Sequence, residues 1–136
     1  MLSSDSLKEI SNIFCGDTVG FYTYKQGYKL VEFFNSNFGT KDVYSSGFPS
    51  RWAYVHDKLV ELINSGKIDR FFNIVLGKSY LMQEQSLSEV DAAEKIESIY
   101  TEFNRIIHRD LCKITRSNGR YHLVKENDDL EPIGNG

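Results

Sequence analysis

The chain has 136 residues, 40% of them apolar and 26% charged, with a formal net charge of -3 and a pI near 5.6. That length fits one domain able to bury roughly two-thirds of its unfolded surface, and the acidic balance excludes a general nucleic-acid clamp. Apolar runs are short and Asp5, Lys8 and Glu9 interrupt the N-terminus, so neither a spanning helix nor a secretory leader is expected, and reduced Cys15 and Cys112 in a cytoplasmic protein follow.

Leu7, Ile10, Ile13 and Phe14 recur at three- and four-residue spacing, which predicts a first helix over 4–14 that stops at Gly16. A second helix is predicted over 25–37, with Leu30, Val31, Phe33, Phe34 and Phe38 as its apolar stripe and Gly39 at its end. Phe21, Tyr22 and Tyr24 before it read equally as an extended segment or as a helix lead-in. Pro49 disfavours helix at Phe48 and suits a helix start, so a third helix runs over 49–65. Trp52, Val55, Leu59, Leu62 and Ile63 form its apolar side, and His56, Asp57, Lys58 and Glu61 its wet side.

Ile68, Phe71, Phe72, Val75 and Leu76 define a short fourth helix closed by Gly77, and Tyr80 to Met82 add a further turn. The long fifth helix opens with Ser86 and Glu89 in an S-x-x-E capping box and carries Val90, Ala93, Ile96, Ile99, Tyr100, Phe103, Ile106 and Ile107. The period then changes. Two short runs flank Asn118-Gly119, a dipeptide whose residues tolerate positive φ, so a hairpin is predicted with Ile114 opposite Leu123 and Arg116 opposite Tyr121. The fold expected is α+β and mainly α: about five helices with a C-terminal β-hairpin over residues 1–125, then an acidic linker over 126–136.

Between the second and third helical patterns lies Phe33 to Trp52, where six aromatics and two glycines crowd together. Rings in such numbers are costly to leave in water, which predicts a packed corner rather than a solvated loop. Tyr44, Phe48, Arg51 and Trp52 are its candidate binding residues. Arg51 has two readings, a structural guanidinium stacked on a ring or an anchor for an anionic ligand.

His56, His108 and His122 lack metal-ligand spacing, no second thiol accompanies either cysteine, and no serine sits in G-x-S-x-G, so neither metal, cofactor nor acyl-transfer chemistry is assigned. His108-Arg109-Asp110-Leu111 spells a kinase catalytic loop but lacks its downstream Asn, D-F-G and a preceding Gly-rich loop. It reads instead as a charged helix end. Leu130-Glu131-Pro132-Ile133-Gly134-Asn135-Gly136 looks like the opening strand and first half of a kinase Gly-rich loop, which points to a Ser/Thr kinase as the next domain of a parent protein. Half a loop binds no ATP. Arg105, Arg109, Arg116 and Arg120 gather around the hairpin, and a helix followed by a basic two-stranded wing outlines a winged-helix-like nucleic-acid binder as the alternative function.

Gly27-Tyr28-Lys29-Leu30-Val31-Glu32-Phe33-Phe34-Asn35, then Asp42-Val43-Tyr44, then Gly47-Phe48-Pro49-Ser50-Arg51-Trp52 resembles the N-terminal domains of AbiJ-type bacterial abortive-infection proteins. The resemblance covers about residues 21–76, with an echo in Phe103-Asn104-Arg105 and the hairpin. It implies a noncatalytic sensor or regulatory module placed before an effector, usually a nuclease-like HEPN domain and here in apparent kinase context. Its partners would be that effector domain in cis, a partner protein, a second copy or a phage-derived ligand, with no membrane involved. The family supplies no catalytic residues to carry over.

Overall fold

The computed structural model describes residues 1–126. Helix α1 (Ser4–Cys15) begins where the Ser3 hydroxyl accepts from the Ser6 amide, and ends at Gly16 with φ +85°. A Cβ on Gly16 would lie 2.3 Å from the Thr23 carbonyl oxygen, so the chain can turn back against itself only through glycine. Helix α2 (Gly27–Phe38) is followed by α3 (Arg51–Asn64), α4 (Ile68–Val75), α5 (Lys78–Gln85) and α6 (Glu89–Ile107). A 3₁₀ turn, His108–Asp110, then leads into β1 (Cys112–Ser117) and β2 (Arg120–Lys125).

The α+β, mainly helical architecture expected from the sequence is present, with six helices among the described residues because the turn at Tyr80 extends into α5. The hairpin has the expected register, Ile114 facing Leu123 and Arg116 facing Tyr121, across a turn in which Asn118 and Gly119 both take positive φ. Residues 21–26 are not helical. They form an extended strap, pinned by the Lys25 amide on the Cys15 carbonyl, so α2 starts at Gly27 rather than Lys25. Leu130–Gly136 and the rest of the linker after Glu126 lie outside the described residues.

Three expectations are corrected. The α6 cap is Ser88, whose hydroxyl accepts from the Asp91 amide, while Ser86 closes α5 at φ 53°. Leu87, immediately before the cap, packs against the core in the position of a hydrophobic staple. The buried stripe of α6 accordingly starts at Ala92, not Val90 and Ala93, and Val90 is 69% exposed. Lys58, placed on the wet side of α3, is buried and ion-paired, and His56 is half-buried.

One hydrophobic core runs through all six helices and the inner face of the hairpin. Its centre is aromatic: Phe14, Phe34, Phe71, Phe72 and Phe103 are fully buried, with Phe14 edge-on to Phe71 at 5.4 Å and Phe34 stacked on Phe71 at 6.2 Å. Rings of this size dominate the apolar burial, and edge-on pairs add about 0.5–1.5 kcal/mol each beyond it. Helix α1 packs on α3 and α6, and α6 carries α5 and β1. Cys15 and Cys112 are buried free thiols, and burial first of all pushes the Cys15 thiol up to about 12.

Candidate functional site

The aromatic corner is ordered by side chains that replace the secondary structure it lacks. Asn35 on α2 holds Asp42 from both sides, its amide donating to the Asp42 carbonyl at 2.9 Å and its oxygen accepting the Asp42 amide at 3.0 Å. The Asp42 carboxylate accepts the Tyr54 hydroxyl at 2.7 Å and pairs with the Lys58 ammonium. Burial pushes the Asp42 carboxyl up, but the hydrogen bonds from Lys58 and Tyr54 outweigh it and leave it below the usual range. Burial disfavours the Lys58 ammonium, and Asp42 and Glu61 reverse that and raise its pKa.

On this footing the rings form a cleft. Phe48 packs on Tyr54 at 4.9 Å and Tyr44 on Phe48 at 4.8 Å. The Tyr44 ring lies so close to the first residue of α2 that a Cβ on Gly27 would be 2.4 Å from it. Tyr24, Gly27, Tyr44, Phe48, Pro49 and Arg51 thus surround a cavity of about 490 Å³. Tyr44 is 52% exposed and Tyr24 62%. The corner is therefore only half the packed element expected: Phe33, Phe34 and Phe38 join the core or its edge, while Tyr44 faces solvent.

Arg51 is held on every side. Its Nε donates to the Lys25 carbonyl at 2.6 Å, one Nη to the Cys15 carbonyl at 2.6 Å and the other to Asp17 at 2.9 Å, and the guanidinium stacks on Tyr24 at 3.9 Å. This is the structural reading made from the sequence, a guanidinium stacked on a ring, and the side chain also lines the cleft. Trp52, next in sequence, does not share that cleft. One residue's step along the helix, about 100°, rotates it toward α1, where the Lys8 ammonium lies 4.5 Å from the ring centre and His56 lies edge-on at 6.1 Å.

Beside Trp52, the Ser4 hydroxyl is 3.0 Å from His56 Nε2, and His56 Nδ1 is 3.2 Å from Asp57. Asp57 is 80% exposed at its side chain, so water screens the carboxylate that would have to orient the imidazole. None of the three residues borders any of the clefts described.

A second cleft, about 570 Å³, runs between α2 and α5. At its end sits a buried network that the sequence reading missed. The Lys25 ammonium pairs with Glu84 and donates to the Phe14 carbonyl at 2.9 Å and the Thr23 carbonyl at 3.3 Å. Glu84 also accepts the Thr23 amide at 3.1 Å. Desolvation lowers the Lys25 pKa, partly offset by Glu84, and burial followed by the Glu84 charge raises that of the Tyr80 phenol. Two hydrogen bonds and the Glu84 ion pair hold the Lys25 ammonium, so the network fastens α5 to the strap that carries Tyr24. No local signal in the sequence joins Lys25 to a residue 59 positions away.

The arginines of the alternative reading are spread out and mostly neutralised. Arg105 pairs with Glu102 at 2.7 Å, Arg109 with Glu9, and Arg116 with Glu97 at 2.8 Å while stacking over Tyr100 at 4.4 Å. Arg120 is exposed and has no ion pair among the described residues. The hairpin is docked edge-on to helices by side-chain amides. Asn104 exchanges both bonds with the Ile114 main chain at 2.7 and 3.1 Å, and Asn73 does the same with Tyr121 at 2.8 Å each. Asp110, of the kinase-like tetrapeptide, accepts the Ser3 amide at 3.0 Å and so secures the start of α1. Arg109 donates back to the Ile106 carbonyl at 3.1 Å, as a charged helix end should.

Comparison of the chain with protein families, with curated proteins and with solved structures returns no match.

Proposed function

We propose that this chain is a noncatalytic sensor or regulatory module of a bacterial antiphage protein, and that it acts by contact through the cleft of the aromatic corner. The observation that carries this reading is the pairing of exposure with rigidity. Tyr24 and Tyr44 present their rings to solvent, yet one is stacked on an immobilised arginine and the other is seated on Gly27 and Phe48. Rigid, amphipathic rings lose little entropy on binding and are the residues that anchor protein interfaces. The resemblance of residues 21–76 to abortive-infection domains supplies the biological setting, and the kinase-like sequence after the acidic linker supplies the effector to be controlled. The proposed partners are that effector in cis, a second copy or a phage-derived protein.

The test uses the full parent protein in cells challenged with phage. Tyr44→Ala and Tyr24→Ala should leave the melting temperature within about 3 °C of the parent, since exposed rings contribute little to stability, and should abolish protection. Full protection by the double variant would reject the cleft as the working surface.

A further inference from the structure

We infer that α5 is a latch that opens ahead of the rest of the domain, and that its opening slackens the strap on either side of Tyr24 by withdrawing Glu84 and Gln85. The latch follows from how α5 is packed. Helices α4 and α5 have eight residues each, yet α4 buries Phe71, Phe72 and Val75 where α5 buries Leu81 alone. Its ends are poorly closed as well. Gly77 has no side chain to offer the first turn, and the last turn is closed by Ser86 at φ 53°, a left-handed conformation that is costly for a residue with a Cβ. An element with so few buried apolar side chains opens at a small fraction of the cost of unfolding the core.

The polar ties that help to hold α5 shut run to the strap. Glu84 pairs with the Lys25 ammonium and accepts the Thr23 amide, and the Gln85 side-chain amide donates to the Phe21 carbonyl at 2.7 Å. The Thr23 amide thus has its hydrogen bond from Glu84, whereas the Lys25 amide, two residues on, is held at 2.9 Å by the Cys15 carbonyl at the end of α1. Tyr24 lies between the two. When α5 leaves, the strap keeps the Cys15 bond, the Arg51 bond to the Lys25 carbonyl and the buried Tyr22, whose hydroxyl donates to the Val75 carbonyl at 2.7 Å. It stays attached and loses only its ties to Glu84 and Gln85. Tyr24 borders both the aromatic cleft and the cleft between α2 and α5 that Lys25 and Glu84 line. The two clefts therefore share one wall, and α5 sets how firmly that wall is held.

Native-state hydrogen exchange of the full chain, read residue by residue by NMR, tests this. The Leu81 and Ser86 amides, which donate to the Gly77 and Met82 carbonyls, should share one opening constant with Thr23 to within about threefold. That constant should exceed the one for Phe103, a core residue of α6, by at least about a hundredfold and the one for Lys25 by at least about tenfold. Leu81→Ala, which removes the buried anchor of α5, should raise the opening of Ser86 and Thr23 together by at least about tenfold. If that variant fails to fold, the rates of the unsubstituted chain decide alone. Thr23 exchanging in step with Lys25 instead of Ser86, or α5 amides as protected as Phe103, overturns the inference. These rates are independent of the function proposed above: protection that survives loss of both tyrosines rejects that function and leaves the latch in place.

Discussion

Replacing Arg51 with alanine separates anchoring from recognition. The substitution deletes two short charge-assisted hydrogen bonds to main-chain carbonyls: the one to Lys25 is worth about 1.5–3 kcal/mol because that carbonyl loses its partner, and the one to Cys15 about 1 kcal/mol because that carbonyl keeps the Lys25 amide. The Asp17 pair adds little, because that carboxylate is partly solvated. Stacking on Tyr24 contributes about 0.5–1 kcal/mol at such exposure. A loss of about 3–5 kcal/mol follows, which for a domain of this size lowers the melting temperature by about 10–20 °C. Arg51→Lys keeps the charge but cannot span acceptors on two separate segments, so it should recover less than half of the loss. Thermal melts followed by far-UV circular dichroism, with urea titrations at constant slope, measure both variants. A melting temperature for Arg51→Ala within 2 °C of the parent would show that the guanidinium fastens nothing, and the account of the corner as a rigid cleft would fall with it.

The carboxyls of Asp42 and Asp110 sit below their ordinary range, because hydrogen bonds from Lys58 and Tyr54, and from Ser6 and Ser3, outweigh the upward push of burial. Their stabilising contribution is complete above the unfolded value near 4 and disappears as pH falls through the folded one. Melting temperature should accordingly drop on acidification below about pH 4, and the drop should be shallower in Asp110→Asn; parallel curves for parent and variant would refute the assignment. The hairpin arginines predict an absence of nucleic-acid affinity at 0.1 M salt, measured by retention of labelled duplex and single-stranded DNA. Retention that falls steeply with salt and is lost in Arg116→Ala, Arg120→Ala would restore the winged-helix reading.

Elements governed by neighbouring residues could be read from the sequence. The apolar spacing of α1, the stop at Gly16 and the Asn118-Gly119 register each rest on local geometry, and each is present as expected. The α6 cap was ambiguous for a local reason: Ser86 and Ser88 are both followed three residues later by an acid, and it is Ser88, with Leu87 packed on the core before it, that caps the helix. Among the candidate site residues, Tyr44, Phe48 and Arg51 converge and Trp52 does not, because consecutive helical residues point about 100° apart. Tyr24 on the strap and Gly27 at the start of α2 complete the cleft, and Lys25, Asp42 and Lys58 are ionic groups fixed by distant partners. A charge that finds its counterpart only through the fold leaves no pattern in the chain, so it reads as an ordinary wet residue until the partner is brought up against it.

The asparagines that grip the hairpin have a consequence for assembly. A strand pair of six residues a side ordinarily offers two open ladders to any passing chain, and such rims are where unwanted polymerisation starts. Here Asn104 occupies the outward amide and carbonyl of Ile114, and Asn73 those of Tyr121, each mimicking the backbone of a strand that is not there. The tape is terminated on both margins by single side chains. Crowded copies of this protein thus meet, at Ile114 and Tyr121, a rim whose main-chain groups are already taken.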